Sequence, residues 1–168
     1  MSGTEDAYIP PHVTTGKTVP PEVARYLDGT DLLAKTQALR LSTVDAAGWP
    51  HAALLSAGDM VNVPPGRIRF ALFPQSTMTA NLVRDGRLTL TLSLDGGMWE
   101  LRMRARPLAH PPSDIPLACF EAEVETTRIH RAPYAIVTSG TKLRVERPAS
   151  SVWTLAAPDR GAAGGGLR

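Results

Sequence analysis

Residues 67–94 read RIRFALFPQSTMTANLVRDGRLTLTLSL, and this stretch decides the fold. Residues 67–73 and 87–94 alternate apolar and polar side chains, which predicts two β-strands. Between them, a turn at Pro74 leads into a helix predicted over residues 75–85, whose first turn carries the hydroxyl side chains of Ser76, Thr77 and Thr79. The first N–H groups of a helix have no partner within it, and its dipole is positive at that end. The stretch therefore predicts a site for an anion such as a phosphate.

Further short strands are predicted on both sides of this stretch. Runs with strand character occupy residues 38–44, 50–56, 99–106, 134–138, 142–146 and 151–155. Turn signals separate several of them, at Asp45–Gly48, Asp95–Gly97 and Ser139–Thr141. Short helices are predicted over residues 21–27, with an extension through 31–35, and over residues 117–125. About six short strands between turn signals predict a mainly β protein, an antiparallel barrel with short helices, rather than parallel βαβ units.

Two side-chain patterns make finer predictions about burial. The apolar run Ala52–Leu55 predicts a strand that is buried on both faces. Met78 and Leu82 lie four residues apart on the predicted helix, which predicts that both contact the core. The single cysteine, Cys119, is predicted to be a small buried side chain.

The 168 residues are enough for one domain with a sizeable core. Residues 1–20 carry two Pro-Pro pairs and predict a flexible, extended N-terminal arm. Residues 21–157 are then the single barrel domain. Residues 158–168 are rich in Gly and Ala and predict a disordered tail.

Charge and composition indicate which kinds of partner the chain binds. The formal net charge is +2, and the basic residues are scattered rather than clustered. This suits a small acidic ligand better than a nucleic acid, which is bound by clustered basic residues and exposed aromatic rings. Because aromatic residues are only 5% of the chain, an oligonucleotide-binding barrel is the least favoured alternative. No apolar run reaches the roughly 20 residues of a transmembrane helix, so no membrane partner is predicted.

Several kinds of chemistry have no support in the sequence. The four histidines show no metal-ligand spacing, so no metal site is predicted. No motif marks a covalent nucleophile, a Rossmann dinucleotide site or a P-loop, and no catalytic residue is assigned. One cysteine fits a reducing compartment, and the N-terminus lacks the apolar region of a secretory signal, so a cytoplasmic location is predicted.

The order of these elements resembles the FMN-binding split-barrel family, the pyridoxamine 5′-phosphate oxidase-like proteins. The resemblance runs from about Ala38 to Ala105. It is carried by five pieces in order: Leu39–Asp45 with Gly48-Trp49-Pro50, Leu54-Leu55-Ser56, Phe70–Phe73, Ser76-x-x-x-x-Asn81-Leu82, and Arg102-x-Arg104-x-Arg106. It implies an antiparallel split β-barrel that forms a homodimer, with FMN in a groove at the subunit interface.

The resemblance also implies a role for individual residues. The ring system of FMN would lie against Leu54, Leu55 and Ser56, with Ala71 and Leu72 beside it. The phosphate would be held by Ser76, Thr77 and Thr79, with Arg69 as a charge partner and Asn81 supporting the turn. Trp99 and Arg102 would approach from the partner subunit.

One position departs from the family pattern. Many members place a lysine three residues before the Asn-Leu pair, and this chain has Met78 there. A phosphate without that lysine loses a charge-assisted contact, which Arg67 or Arg69 would have to replace. The leading hypothesis is a flavin-dependent oxidoreductase acting on a small-molecule substrate or electron donor of unknown identity, with pyridoxamine-phosphate oxidase activity disfavoured. The alternative is a non-enzymatic binding or sensing protein on the same fold, holding a flavin, a deazaflavin or haem.

Overall fold

The computed structural model describes residue 8 and residues 10–114 and 116–144. Within these residues the elements follow one another as β1 His12–Thr15, α1 Pro21–Tyr26, β2 Leu39–Val44, β3 Pro50–Leu55, a 3₁₀ turn Ala57–Asp59, β4 Met60–Val63, β5 Arg67–Leu72, α2 Thr77–Arg84, β6 Arg87–Leu94, β7 Gly97–Pro107 and β8 Ala118–His130. The strand predicted over 151–155, residues 145–146 of the predicted last hairpin and the tail 158–168 lie outside the described residues.

The strands form one antiparallel sheet that curls around the core. Their order is β3-β2-β6-β7-β8-β5-β4, and β1 pairs with β8 outside this path. The long strand β8 makes this possible, because its first half pairs with β5 and its second half with β1. The predicted mainly β, antiparallel architecture is confirmed.

The inner face of the sheet carries the apolar positions of each alternating strand. Phe70 of β5 and Phe120 of β8 are fully buried there, with ring centroids 5.6 Å apart. The helix α2 adds Met78 and Leu82 to the same core, which confirms that pair as core contacts. Burying a large apolar side chain stabilises the fold by about 1.5–3 kcal/mol. Burial of the apolar side chains that alternate along the strands is thus the main source of the stability of the fold.

Two of the hairpins follow their turn signals. At the β6–β7 turn, Asp95 and Gly96 have φ angles of 52° and 74°, and Leu94 pairs with Gly97. Positive φ at both central residues is typical of the two-residue hairpin turn that suits twisted strands. The β2–β3 turn ends at Gly48, with a φ of 87°, and both predicted turns are confirmed.

The helix predicted over residues 117–125 is wrong, because this segment is the first part of β8. Phe120, Ala122 and Val124 point into the core. Between them, Glu121 and Glu123 lie opposite Arg69 and Arg67 of β5 in the antiparallel register. The cross-strand partners of this segment lie about 50 residues away, so pairing with β5 and β7 overrides the local helix preference of Glu and Ala.

Four smaller expectations also change. The strand β3 alternates between exposed and half-buried residues instead of being buried on both faces, because it is an edge of the sheet. Residues 31–35 form a turn rather than a helical extension. Within residues 134–144 the predicted last hairpin is replaced by other pairings, since Lys142 bridges to Gln37 and Ala135 to Ala132. Within the predicted arm, residues 12–15 form β1.

Candidate functional site

The first turn of α2 directly follows the end of β5 and is capped by its own hydroxyls. The Ser76 Oγ accepts a hydrogen bond from the Thr79 N–H at 3.1 Å and lies 3.1 Å from the Thr79 Oγ1. The Thr79 hydroxyl donates in turn to the carbonyl oxygen of Phe73 at 2.9 Å. Two of the three predicted phosphate ligands therefore already serve the helix cap.

At this helix start, the Thr77 hydroxyl stays available to bind a ligand. The Thr77 side chain is exposed, whereas Thr79 is buried. Thr77 and Met78 are the first two helical residues, so their N–H groups have no hydrogen-bond acceptor within α2. The exposed hydroxyl and these two N–H groups form a small donor set at the positive end of the helix dipole, which suits an anion.

Met78 points away from this donor set. Its side chain is 2% exposed and packs in the core with Leu82. A lysine at this position would have to bury its charge or leave the core. The departure from the family pattern thus follows from the direction of this side chain, which serves packing in this chain.

Arg69 is part of a buried ion-pair cluster. Its side chain is 4% exposed, and its Nε donates to Glu121 at 2.9 Å. Arg67 and Arg106 also contact the Glu121 carboxylate, at 3.3 and 3.1 Å. Burial alone would raise the pKa of Glu121, but hydrogen bonds from Arg69 and Arg106 outweigh it and hold the pKa below its ordinary value. The assignment of Arg69 to a phosphate stays a prediction, because this arginine is held by Glu121.

Asn81 fastens α2 to the sheet. Its Nδ2 donates to the Thr43 hydroxyl at 2.9 Å, and its Oδ1 accepts from Arg84 at 3.2 Å. Arg84 also donates to the carbonyl oxygen of Val44. Both Asn81 and Thr43 are buried. Asn81 therefore holds α2 against β2.

We expect Asn81→Ala to destabilise the protein by about 1–3 kcal/mol, because the buried Thr43 hydroxyl loses its partner. Urea unfolding followed by circular dichroism measures this. Val83→Ala is the matched control on the same helix, since Val83 is 66% exposed. Equal unfolding midpoints for the two variants would show that the Asn81 contact contributes nothing.

On β3, only one of the three predicted ring contacts is free to meet a ligand. Leu54 lies on the outer face of the sheet and is 46% exposed. Leu55 packs against the core. The Ser56 hydroxyl donates to the Asp59 carboxylate at 2.8 Å and caps the 3₁₀ turn. Leu54 lines a groove of about 190 Å³ together with Arg40, Thr91 and Met98.

The remaining predicted residues divide between the two faces of the sheet. Ala71 lies on the outer face and packs against Cys119, whereas Leu72 belongs to the core. Trp99 packs against the core, and its Nε1 is buried without a hydrogen-bond partner among the described residues. Arg102 lies on the opposite face of β7, half-exposed, with its Nε 2.9 Å from Glu100. A ligand on the outer face can therefore meet Leu54 and Arg102, whereas the side chains of Ala71 and Leu72 are buried.

Comparisons with known proteins place the chain among its relatives. No family model matches the sequence. YclD of Bacillus subtilis (strain 168), which has no assigned function, is 32% identical over 126 residues, covering 73% of this chain and 80% of YclD. The chain belongs to the same family as YclD.

Two solved structures of low sequence identity superpose on this chain. HupZ of Group A Streptococcus superposes with a TM-score of 0.50 at 15% identity, covering 65% of this chain and 95% of HupZ. An FMN-binding protein from Syntrophomonas wolfei superposes with a TM-score of 0.46 at 19% identity, covering 62% and 86%. HupZ shares the fold of this chain, and the predicted antiparallel split barrel is confirmed.

Three polar groups near these residues were not foreseen. Glu121 lies in the segment predicted to be a helix. Glu100 accepts from Arg102 and lies 3.2 Å from the Nε2 of His130. Arg128 of β8 is the cross-strand neighbour of Glu100. Alternation of Glu121, Glu123 and Glu125 is the signal that could have found the first, once that segment is taken as a strand.

Membrane-spanning helices and metal sites are absent from the described part of the chain. No helix there is long and apolar enough to cross a membrane. No group of three or more His, Cys, Asp or Glu side chains within the same ranges is placed to hold a metal ion.

Proposed function

We propose that the chain forms a homodimer that binds FMN and acts as a flavin-dependent oxidoreductase on a small-molecule substrate in the cytoplasm. One observation carries this proposal: the start of α2 presents an exposed Thr77 hydroxyl and the N–H groups of Thr77 and Met78 at the end of a split-barrel strand. These groups suit a phosphate. The exposed Leu54 on β3, a strand that α2 contacts, offers an apolar surface for a ring system.

The residues present fit both the phosphate and the ring system of FMN, and different residues would contact each part. Thr77 and the helix N–H groups would hold the phosphate, while Ser76 and Thr79 keep the helix cap in shape. Leu54 would contact the ring, and Arg102 of the partner subunit would add a positive charge. FMN supplies hydride and electron transfer when bound, and the chain orients it and excludes water.

The alternative is a binding or sensing protein without turnover, holding a flavin, a deazaflavin or haem. The burial of Met78 and the hold of Glu121 on Arg69 favour it, since neither side chain brings a free positive charge to the phosphate end. The rate at which NADH or NADPH reduces the bound flavin, with and without oxygen, separates the two hypotheses. Reduction and reoxidation over many cycles support the enzyme, and a flavin that stays oxidised supports the carrier.

Thr77→Ala should weaken FMN binding about tenfold, because a hydrogen bond to a charged group contributes about 1.5–3 kcal/mol. Isothermal titration measures the dissociation constant. The melting temperature should hardly change, since the Thr77 side chain is exposed and does not cap the helix.

Ser76→Ala in the same background separates the cap from the site. Removing an N-cap hydroxyl destabilises a helix by about 1 kcal/mol. We expect the double variant to lose more FMN affinity than stability. A lower melting temperature with unchanged affinity would mean that this pair is a helix cap and nothing else.

A further inference from the structure

A second groove, of about 840 Å³, lies at the end of β7 and β8 on the outer face of the sheet. Its volume is within the range of about 300–1,000 Å³ that is typical of small-molecule sites. We call it the Arg128 groove, and the residues that matter in its lining are Met98, Arg128, His130, Tyr134 and Val137. It contains none of the residues assigned above to FMN.

Arg128 supplies a positive charge that the rest of the described chain leaves unpaired. Its neighbour on β7 is Glu100, but that carboxylate is taken by Arg102 at 2.9 Å and lies 3.2 Å from His130. Burial would raise the pKa of Glu100, yet the hydrogen bonds from Arg102 and His130 lower it. The Glu100 carboxylate is therefore an anion that already has two partners. The Arg128 Nε is buried and has no hydrogen-bond partner among the described residues. A buried donor without a partner is destabilising, and a ligand acid group would satisfy it.

Apart from Arg128, His130 and Arg131, the lining is apolar and aromatic. Tyr134 is 79% exposed and Met98 is 37% exposed, and Val137 lies beside them. Exposed rings and thioethers of this kind are favourable contacts for a planar apolar body. The groove therefore joins one unpaired guanidinium to a flat apolar surface.

The Arg128 groove is adjacent to the space beside Leu54. Met98 lines both of them. Leu54, Arg40, Thr91, Glu100 and Arg128 are also successive cross-strand partners, so one row of the sheet connects Leu54 to Arg128. Four strand spacings of about 4.8 Å make this row roughly 19 Å long. The Arg128 groove thus lies on the same face of the sheet as Leu54 and shares Met98 with the space beside it.

We propose that the Arg128 groove binds the substrate of the flavin, and that this substrate is a planar aromatic carboxylate. Arg128 takes the carboxylate, and the aromatic body lies over Tyr134 and Met98. The assignment as substrate rests on the proposed FMN function. The binding of an aromatic carboxylate does not, because it uses none of the FMN residues.

The test is a titration of the full chain, first without FMN, with 2-naphthoate and with its neutral analogue 2-naphthamide, followed by NMR chemical shifts. We expect the amides of Met98 and His130 to shift with 2-naphthoate. The amide analogue should bind at least about tenfold more weakly, because it cannot form a charged pair with Arg128. Equal affinities for the two compounds would overturn the proposal.

Variants localise the binding. Arg128→Gln should weaken 2-naphthoate binding about tenfold, and Arg128→Lys should give an intermediate loss, because it keeps the charge but not the two-pronged hydrogen bond. Arg104→Gln is the control, since Arg104 is a half-exposed arginine paired with Glu125 outside the groove. An equal loss in Arg104→Gln, or a change in the oligomeric state of Arg128→Gln by light scattering, would mean that the groove is not this site.

The titration is then repeated with FMN present. Binding of 2-naphthoate that also perturbs the flavin absorbance supports the substrate assignment. Binding of 2-naphthoate without any binding of FMN would overturn that assignment and the proposed function, and would leave the carboxylate site standing. Binding of FMN without binding of 2-naphthoate would overturn the inference alone.

Discussion

Glu121→Ala is expected to destabilise the fold by about 3–5 kcal/mol, the usual result of removing one partner from a buried ion pair. Glu121 is 4% exposed and holds the buried Arg69 together with Arg67 and Arg106. Its loss would remove a carboxylate from between three guanidinium groups on neighbouring strands. Urea unfolding followed by circular dichroism measures the change.

Glu123→Ala is the matched control, two residues along the same strand. Glu123 is half-exposed and pairs with the exposed Lys17 at 3.4 Å, and such surface pairs contribute about 0–1 kcal/mol. A Glu121 variant that unfolds at the same urea concentration as the Glu123 variant would show that the buried cluster does not stabilise the fold.

The acid stability of the protein follows from the same group. Arg69 and Arg106 hold the pKa of Glu121 below its ordinary value of 4.5 in the folded state. The stabilisation is therefore complete above pH 4.5 and is lost as the pH falls below that value through the folded pKa. In Glu121→Gln, this part of the acid limb should flatten, and an unchanged slope between wild type and variant would contradict the assignment.

Gly66→Ala should destabilise the protein by about 2–5 kcal/mol, because backbone strain and overpacking both act there. Gly66 has a φ of 75°, and a Cβ on it would lie 1.4 Å from the carbonyl oxygen of Lys17. Relief requires moving the backbone that follows β1. The unfolding free energy and the hydrogen-exchange protection of the β1 amides should both fall.

Gly48→Ala separates strain from contact. Gly48 has a φ of 87°, and nothing lies within 4 Å of the position its Cβ would take. This variant should therefore lose only the strain contribution of about 1–2 kcal/mol and keep the protection of β1. Equal effects of the two substitutions would mean that the chain near Lys17 does not pack against Gly66.

The parts of the fold that local signals specify could be predicted from the sequence. The hydroxyls at Ser76 and Thr79 mark the start of α2, and the four-residue spacing of Met78 and Leu82 marks its core-facing side. Asp95-Gly96 fixes a hairpin by backbone conformation alone. In each of these cases the residues that decide the structure are neighbours in sequence.

The parts that depend on distant partners could not be predicted. The residues of β8 favour a helix locally, and only pairing with β5 and β7 makes them a strand. The exposure of Leu54 depends on β3 being an edge strand, which no local pattern reveals. Arg69 carries a charge that the sequence alone cannot assign, because its partner Glu121 lies 52 residues away.

The candidate site likewise combines features that neighbouring residues determine with features that depend on distant partners. Its donor set at Thr77 belongs to one helix turn and is readable in the sequence. The faces on which Trp99 and Arg102 lie require the register of β7 with its neighbours. The unpaired charge of Arg128 appears only when Glu100 is seen to be taken by Arg102 and His130.

One titration tests whether this split barrel holds FMN. The absorbance spectrum of the freshly purified full chain is recorded, and the same protein, freed of any bound flavin, is then titrated with FMN by calorimetry. We predict flavin bands in the spectrum and a dissociation constant below roughly 10 µM. Absence of flavin bands together with no binding at roughly tens of micromolar FMN would contradict the claim.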